Sequence, residues 1–286
     1  MMAAVVTRGI LVDRVDGSGH AGDGVCATAS RADAGWRAED GLHVDGTMRL
    51  SGKTAVVTGG SRGIGFAIAR ALLREGANVA VTGTKEDTIA KAADDLRPDA
   101  DGDRVVGLKA DVRRYADVEG AFATVAGRFG GIDILINNAG VGAFAPIADM
   151  EVDEWHRVID TNLTAVFYCC RVALPHLRKA GGWIVNVSSL ASKNPFPNGG
   201  AYGASKAALN AFSESLMQEV RYDGVRVVYV LPGSVNTGFG GLTNTKADWA
   251  LMPEDVAQAV VDVIAHPARS LPSRIEIRPA QPPRKG

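Results

Sequence analysis

Lys53-Thr54-Ala55-Val56-Val57-Thr58-Gly59-Gly60-Ser61-Arg62-Gly63-Ile64-Gly65 decides the architecture of this chain. Thr54 to Thr58 is a short, largely β-branched run and reads as a strand, and Phe66 to Glu75 reads as a helix. Between them, glycines let the backbone approach a pyrophosphate. The helix N-terminus turns free N–H groups and a positive dipole end toward it. The spacing is Gly59-x3-Gly63-x-Gly65, not the common G-x-G-x-x-G dinucleotide fingerprint. Taken alone, such a turn can equally be a tight connection.

Working outward, strands and helices alternate. Strands are predicted near 54–58, 78–82, 104–109, 132–136, 183–187, 225–230 and 274–277. Helices are predicted near 63–75, 86–96, 115–129, 153–179, 200–222 and 254–265. Continuous apolar strands such as Ile132 to Ile136 and Trp183 to Val187 indicate a parallel sheet covered on both faces. The alternation predicts a doubly wound, Rossmann-type α/β fold of about seven strands with helices on both faces. Ligands in such folds sit at the carboxyl ends of the strands. The glycine turn, Asn138, Ser189 and Pro232-Gly233 all fall at such ends.

Downstream, Tyr202 and Lys206 lie one helical turn apart in Ala201-Tyr202-Gly203-Ala204-Ser205-Lys206, so phenol and ammonium share a face. A nearby ammonium favours the phenolate, which predicts proton exchange below the free phenol pKa of about 10. Ser189, at the end of an apolar run, is placed to hold a carbonyl oxygen beside that phenol. Strand alternation sends its rival, Ser188, to the opposite face. Neither serine reads as a hydrolase nucleophile, because no Gly-x-Ser-x-Gly turn surrounds it.

From about Arg49 to Arg278 the chain resembles a single-domain short-chain dehydrogenase/reductase, similar to 3-oxoacyl-(acyl carrier protein) reductases. The resemblance rests on Thr58-Gly59-x3-Gly63-x-Gly65, Asp111 in Ala-Asp-Val, Asn137-Asn138-Ala139-Gly140 and Asn162 in Thr-Asn-Leu. It rests equally on Ser189 with Tyr202 and Lys206, and on Pro232-Gly233-Ser234-Val235-Asn236-Thr237. It implies a carbonyl reductase in which Ser189 binds the oxygen, Tyr202 donates the proton and Lys206 lowers the phenol pKa while holding the nicotinamide ribose. It implies that Asn162 supports a proton-relaying water. Gly59, Ser61, Arg62, Gly63, Ile64 and Gly65 then cradle the dinucleotide. Asp111 and Val112 border the adenine, and Asn138, Ala139 and Gly140 the adenosine ribose. Pro232, Gly233, Val235 and Thr237 run beneath the nicotinamide. On residues alone, Asp111 is as well suited to cap the following helix, and Asn162 to satisfy backbone groups.

The second predicted strand bears on cofactor choice. It ends Val81-Thr82-Gly83-Thr84-Lys85, with Gly83 where NAD-users of the family carry Asp. Arg62, Thr84 and Lys85 suit a 2′-phosphate instead, so NADP(H) is expected over NAD(H), unless both cations are only solvated surface charges. Gly238-Phe239-Gly240-Gly241 to Lys246 reads as a substrate lid reaching Trp249 and Met252, or as a plain surface loop. Val141, Gly142, Ala191, Phe196, Phe239 and Trp249 are the candidate substrate lining, with Lys193 as the one nearby charge.

The 286 residues, 46% of them hydrophobic, allow one large α/β core. A net charge of −1 argues against a nucleic-acid partner. No run approaches the roughly 18 apolar residues of a membrane-spanning helix. The five His show no metal-ligand spacing, and no metal is expected. Cys26, Cys169 and Cys170 are too few and badly placed for a disulfide framework, and the adjacent pair reads as buried thiols. Residues 1–47 lack periodicity and a secretory leader, so they are read as a disordered extension or a start-site artefact. Residues 48–278 are then one catalytic domain and 279–286 a flexible tail. A cytoplasmic location is expected.

The chain departs from the family's Gly-rich, aspartate-containing ending, which leaves a tetramer in question. Helices 153–179 and 200–222, the latter with Ala207, Ala208 and Ala211, offer a homodimer contact. The reading is an NADPH-dependent ketoreductase, of 3-oxoacyl-thioester type by resemblance. Arg171, Arg178 and Lys179 are either a landing for an acidic carrier or a solvated helix face. The alternatives are an alcohol, sugar or hydroxy-acid dehydrogenase of the same family and a non-catalytic dinucleotide sensor.

Overall fold

The computed structural model describes residues 48–239, 248–267 and 269–282. The extension 1–47, with Cys26, most of the expected lid (240–247) and the end of the tail lie outside them. The elements run β1 (Thr54–Thr58), α1 (Gly63–Arg74), β2 (Asn78–Gly83), α2 (Glu86–Leu96), β3 (Val105–Lys109), α3 (Tyr115–Phe129) and β4 (Ile134–Asn137). There follow α4 (Val152–Ile159), α5 (Ala165–Ala180), β5 (Trp183–Val187), α6 (Gly200–Val220), β6 (Arg226–Pro232), α7 (Pro253–Ile264) and β7 (Arg274–Ile277).

The strands form one seven-stranded sheet in the order β3-β2-β1-β4-β5-β6-β7. Every pairing is parallel. Alternation along each strand divides the core in two. Ala55 and Val57 face a layer of α1, α2 and α7, while Val56 faces α3, α5 and α6. Both faces are therefore apolar, which is why the central strands read as unbroken hydrophobic runs. The order in which strands are added reverses between β1 and β4, and the crevice at such a switch point is where ligands bind.

The sequence expectation of one helix over 153–179 is corrected. The turn widens into a π-helix at Asp160–Thr164 between α4 and α5. It carries Asn162 inward to complete burial, and Thr161 Oγ1 bonds the Arg157 carbonyl at 2.7 Å. Such bulges cost regular helix bonding and recur at functional sites. The segment before β1 is tied down by a buried ion pair. The Arg49 guanidinium grips the Glu75 carboxylate at the end of α1, and Leu50 N donates to Glu75 O at 2.8 Å.

Candidate active site

The β1–α1 turn is built against the end of β4. Thr58 Oγ1 donates to Ile136 O (3.3 Å) and accepts from the amides of Asn138 (3.0 Å) and Ala139 (3.1 Å). The Asn138 side-chain amide donates to the carbonyls of Thr58 (2.9 Å) and Gly59 (3.0 Å). Thr58 and Asn138 thus hold the turn open from below. Thr58 was quoted in the motif but not counted as a site residue, because only the fold brings it to β4.

The glycines have separate jobs. Gly59 and Gly63 take positive φ of +63° and +57°, where L side chains are strained. A Cβ at Gly65 would sit 2.3 Å from Asn138 Nδ2, so this glycine admits the asparagine rather than a phosphate. Across the turn, a Cβ at Gly63 would lie 3.2 Å from Thr237, and Arg62 Nη1 reaches Thr237 O at 3.5 Å. No side chain caps the N-terminus of α1, and its first turn holds no acid. Its amides face the crevice and suit a pyrophosphate.

At the end of β2, Thr84 and Lys85 are exposed. A Cβ at Gly83 would meet nothing closer than 3.4 Å, so no packing forbids an acid there. Asp111 is engaged locally. Its carboxylate accepts from the Arg113 amide (3.0 Å) and from the Arg113 guanidinium (2.6 Å), whose hydrogen bonds hold the acid below its usual range. It makes a turn before α3 and does not cap that helix, whose N-cap is Arg114. Val112 beside it is buried.

The catalytic candidates converge at the end of β5. Ser189 has extended backbone, and its Oγ accepts from Ala191 N at 3.1 Å and hydrogen-bonds the Tyr202 hydroxyl. Ser188 points away and donates to Asn210 Oδ1 at 2.6 Å. Lys206 is buried. Its Nζ donates to Val187 O at 2.8 Å and stands 6.0 Å from the centroid of the Tyr202 ring. That is one of its three donors, the only one engaged among the described residues, so the buried ammonium has capacity for sugar hydroxyls.

The expected depression of the Tyr202 pKa is corrected. Burial pushes the phenol up, and the Ser189 hydrogen bond only partly opposes this. Burial also pulls Lys206 down to about 8, so its charge is itself weakened. Sequence spacing gave the shared helix face, but desolvation depends on the fold.

Asn162 clamps the loop after β4. Its Oδ1 accepts from Val141 N, and its Nδ2 donates to Val141 O, both at 2.9 Å, and to Ser205 Oγ at 3.0 Å. Its side chain borders Gly140, and so does Lys206 Nζ. At the far wall, Gly233 N donates to Ile277 O (2.8 Å). Val235 forms a parallel bridge with Leu251.

The substrate candidates meet an aromatic cluster around Tyr202. Phe239 lies 5.5 Å and Phe144 5.8 Å from the Tyr202 ring, and Phe196 stands 5.9 Å from Phe144. Phe144 was missed, because nothing in its local pattern marks it. Trp249 is partly exposed and does not join the ring cluster. Lys193 is not a free charge facing the site, since it pairs with Glu276 on β7. Arg178, a candidate carrier contact, pairs with Asp223 at 2.7 Å. Cys169 and Cys170 are buried and pushed toward the neutral thiol by desolvation.

A parallel sheet with a glycine turn at its switch point and a Ser-Tyr-Lys set beside it defines a dinucleotide-binding oxidoreductase. The short chain dehydrogenase family model matches residues 53–248. An uncharacterized oxidoreductase of Staphylococcus aureus is 34% identical over 231 residues, covering 80% of this chain and 98% of that relative. The structure of an alcohol dehydrogenase from the archaeon Thermococcus sibiricus, complexed with 5-hydroxy-NADP, matches with a TM-score of 0.76 at 33% identity. That match covers 82% of this chain and 99% of the other. A 3-ketoacyl-(acyl-carrier-protein) reductase from Brucella melitensis, complexed with NADH, matches with a TM-score of 0.74 at 27% identity, over 81% and 98% of the two chains. The chain belongs to the short-chain dehydrogenase family. It is an oxidoreductase of CH–OH and C=O groups that works with a nicotinamide dinucleotide.

Proposed function

We propose that the protein is an NADPH-dependent ketoreductase that converts a neutral ketone to a secondary alcohol. The observation that carries this is the meeting of Ser189, Tyr202 and Lys206 at the end of β5, beside an uncapped helix N-terminus on a glycine turn. When bound, the reduced nicotinamide supplies a hydride. Ser189 Oγ donates to and orients the carbonyl oxygen, and the Tyr202 hydroxyl beside it gives that oxygen a proton. The resulting phenolate is stabilised by the Ser189 hydroxyl and by the Lys206 ammonium. Asn162 keeps Val141 and the loop after β4 in place against the site.

NADPH is preferred because Thr84 and Lys85 are exposed at the end of β2 and the glycine turn carries Arg62, while Gly83 has room for a side chain and carries no acid. The Thermococcus neighbour's NADP-type ligand agrees with this, while the Brucella neighbour holds NADH. That reductase favours a 3-oxoacyl thioester as a second reading of the substrate.

Titration with NADPH and NADH, followed by loss of reduced-nicotinamide absorbance with ketones and an acetoacetyl thioester, tests the assignment. Tyr202→Phe is expected to lower kcat by about 10²–10⁴-fold and leave the NADPH Kd unchanged. A Tyr202→Phe enzyme at parental rate would refute the proton-donor role.

A further inference from the structure

Three loops from three strand ends build a phenylalanine cluster beside Tyr202, with Phe144 and Phe239 against its ring and Phe196 against Phe144. Phe144 follows β4, Phe196 lies between β5 and α6, and Phe239 follows β6. Phe144 meets Tyr202 edge-on at 64°, and Phe196 lies tilted by 37° against Phe144. The arrangement is supported from behind. A Cβ on Gly142 would strike the Phe144 ring at 2.8 Å and the Phe239 ring at 3.0 Å, and one on Gly199 would strike the Phe196 ring at 2.7 Å. The two ring-bearing loops are joined by Ala145 N donating to Asn198 O at 3.1 Å. Folding nevertheless leaves Phe144 41% and Phe196 46% exposed. The charge nearest in sequence, Lys193, is neutralised by Glu276.

Exposed aromatic rings on a fixed frame beside a proton donor leave apolar area for a ligand to cover. A flat ring gains both from burial and from edge or offset stacking, about 0.5–1.5 kcal/mol beyond area for each aromatic pair. A small aliphatic group gains little there, and a charged one loses hydration without a partner.

Resting on the ketoreductase reading, we propose that the preferred substrate is an uncharged ketone bearing an aryl group on the carbonyl side of the molecule. The Phe144–Phe196 wall holds that ring, and Phe144 sets the specificity.

The test compares ethyl benzoylacetate with ethyl acetoacetate, which differ only in phenyl against methyl at the ketone. Both are assayed on the full chain with NADPH, and both are titrated into the protein–NADP⁺ complex by fluorescence. The kcat/KM ratio is expected to favour the aryl ester about tenfold or more. Phe144→Ala, and independently Phe196→Ala, should lower that ratio about tenfold. A ratio near one in the parent, or one that neither variant moves, overturns the proposal. If neither ester is reduced, the ketoreductase reading is what fails, and the Kd values then decide the aryl preference. Tighter binding of the benzoyl ester that Phe144→Ala removes sustains it, and equal or absent binding overturns it.

Discussion

Lys206 shows how one residue carries opposed demands. Its pKa in the folded chain is pulled from 10.5 to about 8 by burial. Below pH 8 the amine is protonated in folded and unfolded chains alike, and the whole cost of a buried ammonium is present. From pH 8 to 10.5 the unfolded chain keeps a proton that the folded chain has released, so stability rises with pH. Above that range both forms are neutral and the cost is gone. The shift corresponds to roughly 3 kcal/mol. Lys206→Met should therefore be inactive yet more stable than the parent at neutral pH by up to about 3 kcal/mol. The lost bond to Val187 O offsets part of that gain. Denaturant unfolding across the pH range should show this advantage shrinking between pH 8 and 10.5, and a constant difference would contradict the desolvation account. A bound anionic dinucleotide would bring counter-charge and acceptor oxygens to this ammonium.

At the scale of elements, the π-helix between α4 and α5 joins packing to the site. A regular helix through 153–179 would have kept Asn162 on a different face. The widened turn sends it inward, where both of its amide atoms hold Val141. Asn162→Ala leaves the Val141 N–H and C=O without these partners in a largely buried place. The expected loss is about 1–3 kcal/mol of unfolding free energy, with a fall in kcat/KM as the loop carrying Phe144 loses its anchor. Urea titration and steady-state kinetics on one preparation check both. Unchanged stability would mean that the clamp is not stabilising. The glycine turn works differently. It places α1's amides without a capping side chain, because the side chains of Thr58 and Asn138 brace the turn from β1 and β4.

At the scale of the whole molecule, a surface hollow lies away from the candidate active site. It occupies about 690 Å³ between α3, α5 and α6, lined by Phe167, Leu174, Phe212 and Leu216 with Arg171 and Glu219. We propose this face as the homodimer contact, since it mixes apolar side chains with charges of both signs and includes α5 and α6, from the two segments expected to pair. Phe167 is 45% exposed there. Light scattering should give the parent the mass of two chains, and Phe167→Asp the mass of one with NADPH binding retained. A monomeric parent would remove the proposal.

The sequence by itself determined the order of elements, the parallel sheet, the glycine turn and the Ser189, Tyr202 and Lys206 set. Those features are local: side-chain period, φ preference and spacing along one helix are all read over a few residues. Helix α3 and strands β1, β5 and β7 fall on their predicted limits for the same reason. Only the tertiary structure decided what depends on distant segments meeting. It gave Gly65 to Asn138, turned Asn162 onto Val141, paired Lys193 with Glu276 and brought Phe144 to Tyr202. It also reversed the expected pKa of the phenol. Desolvation is set by everything packed around a group, and no spacing along the chain records it.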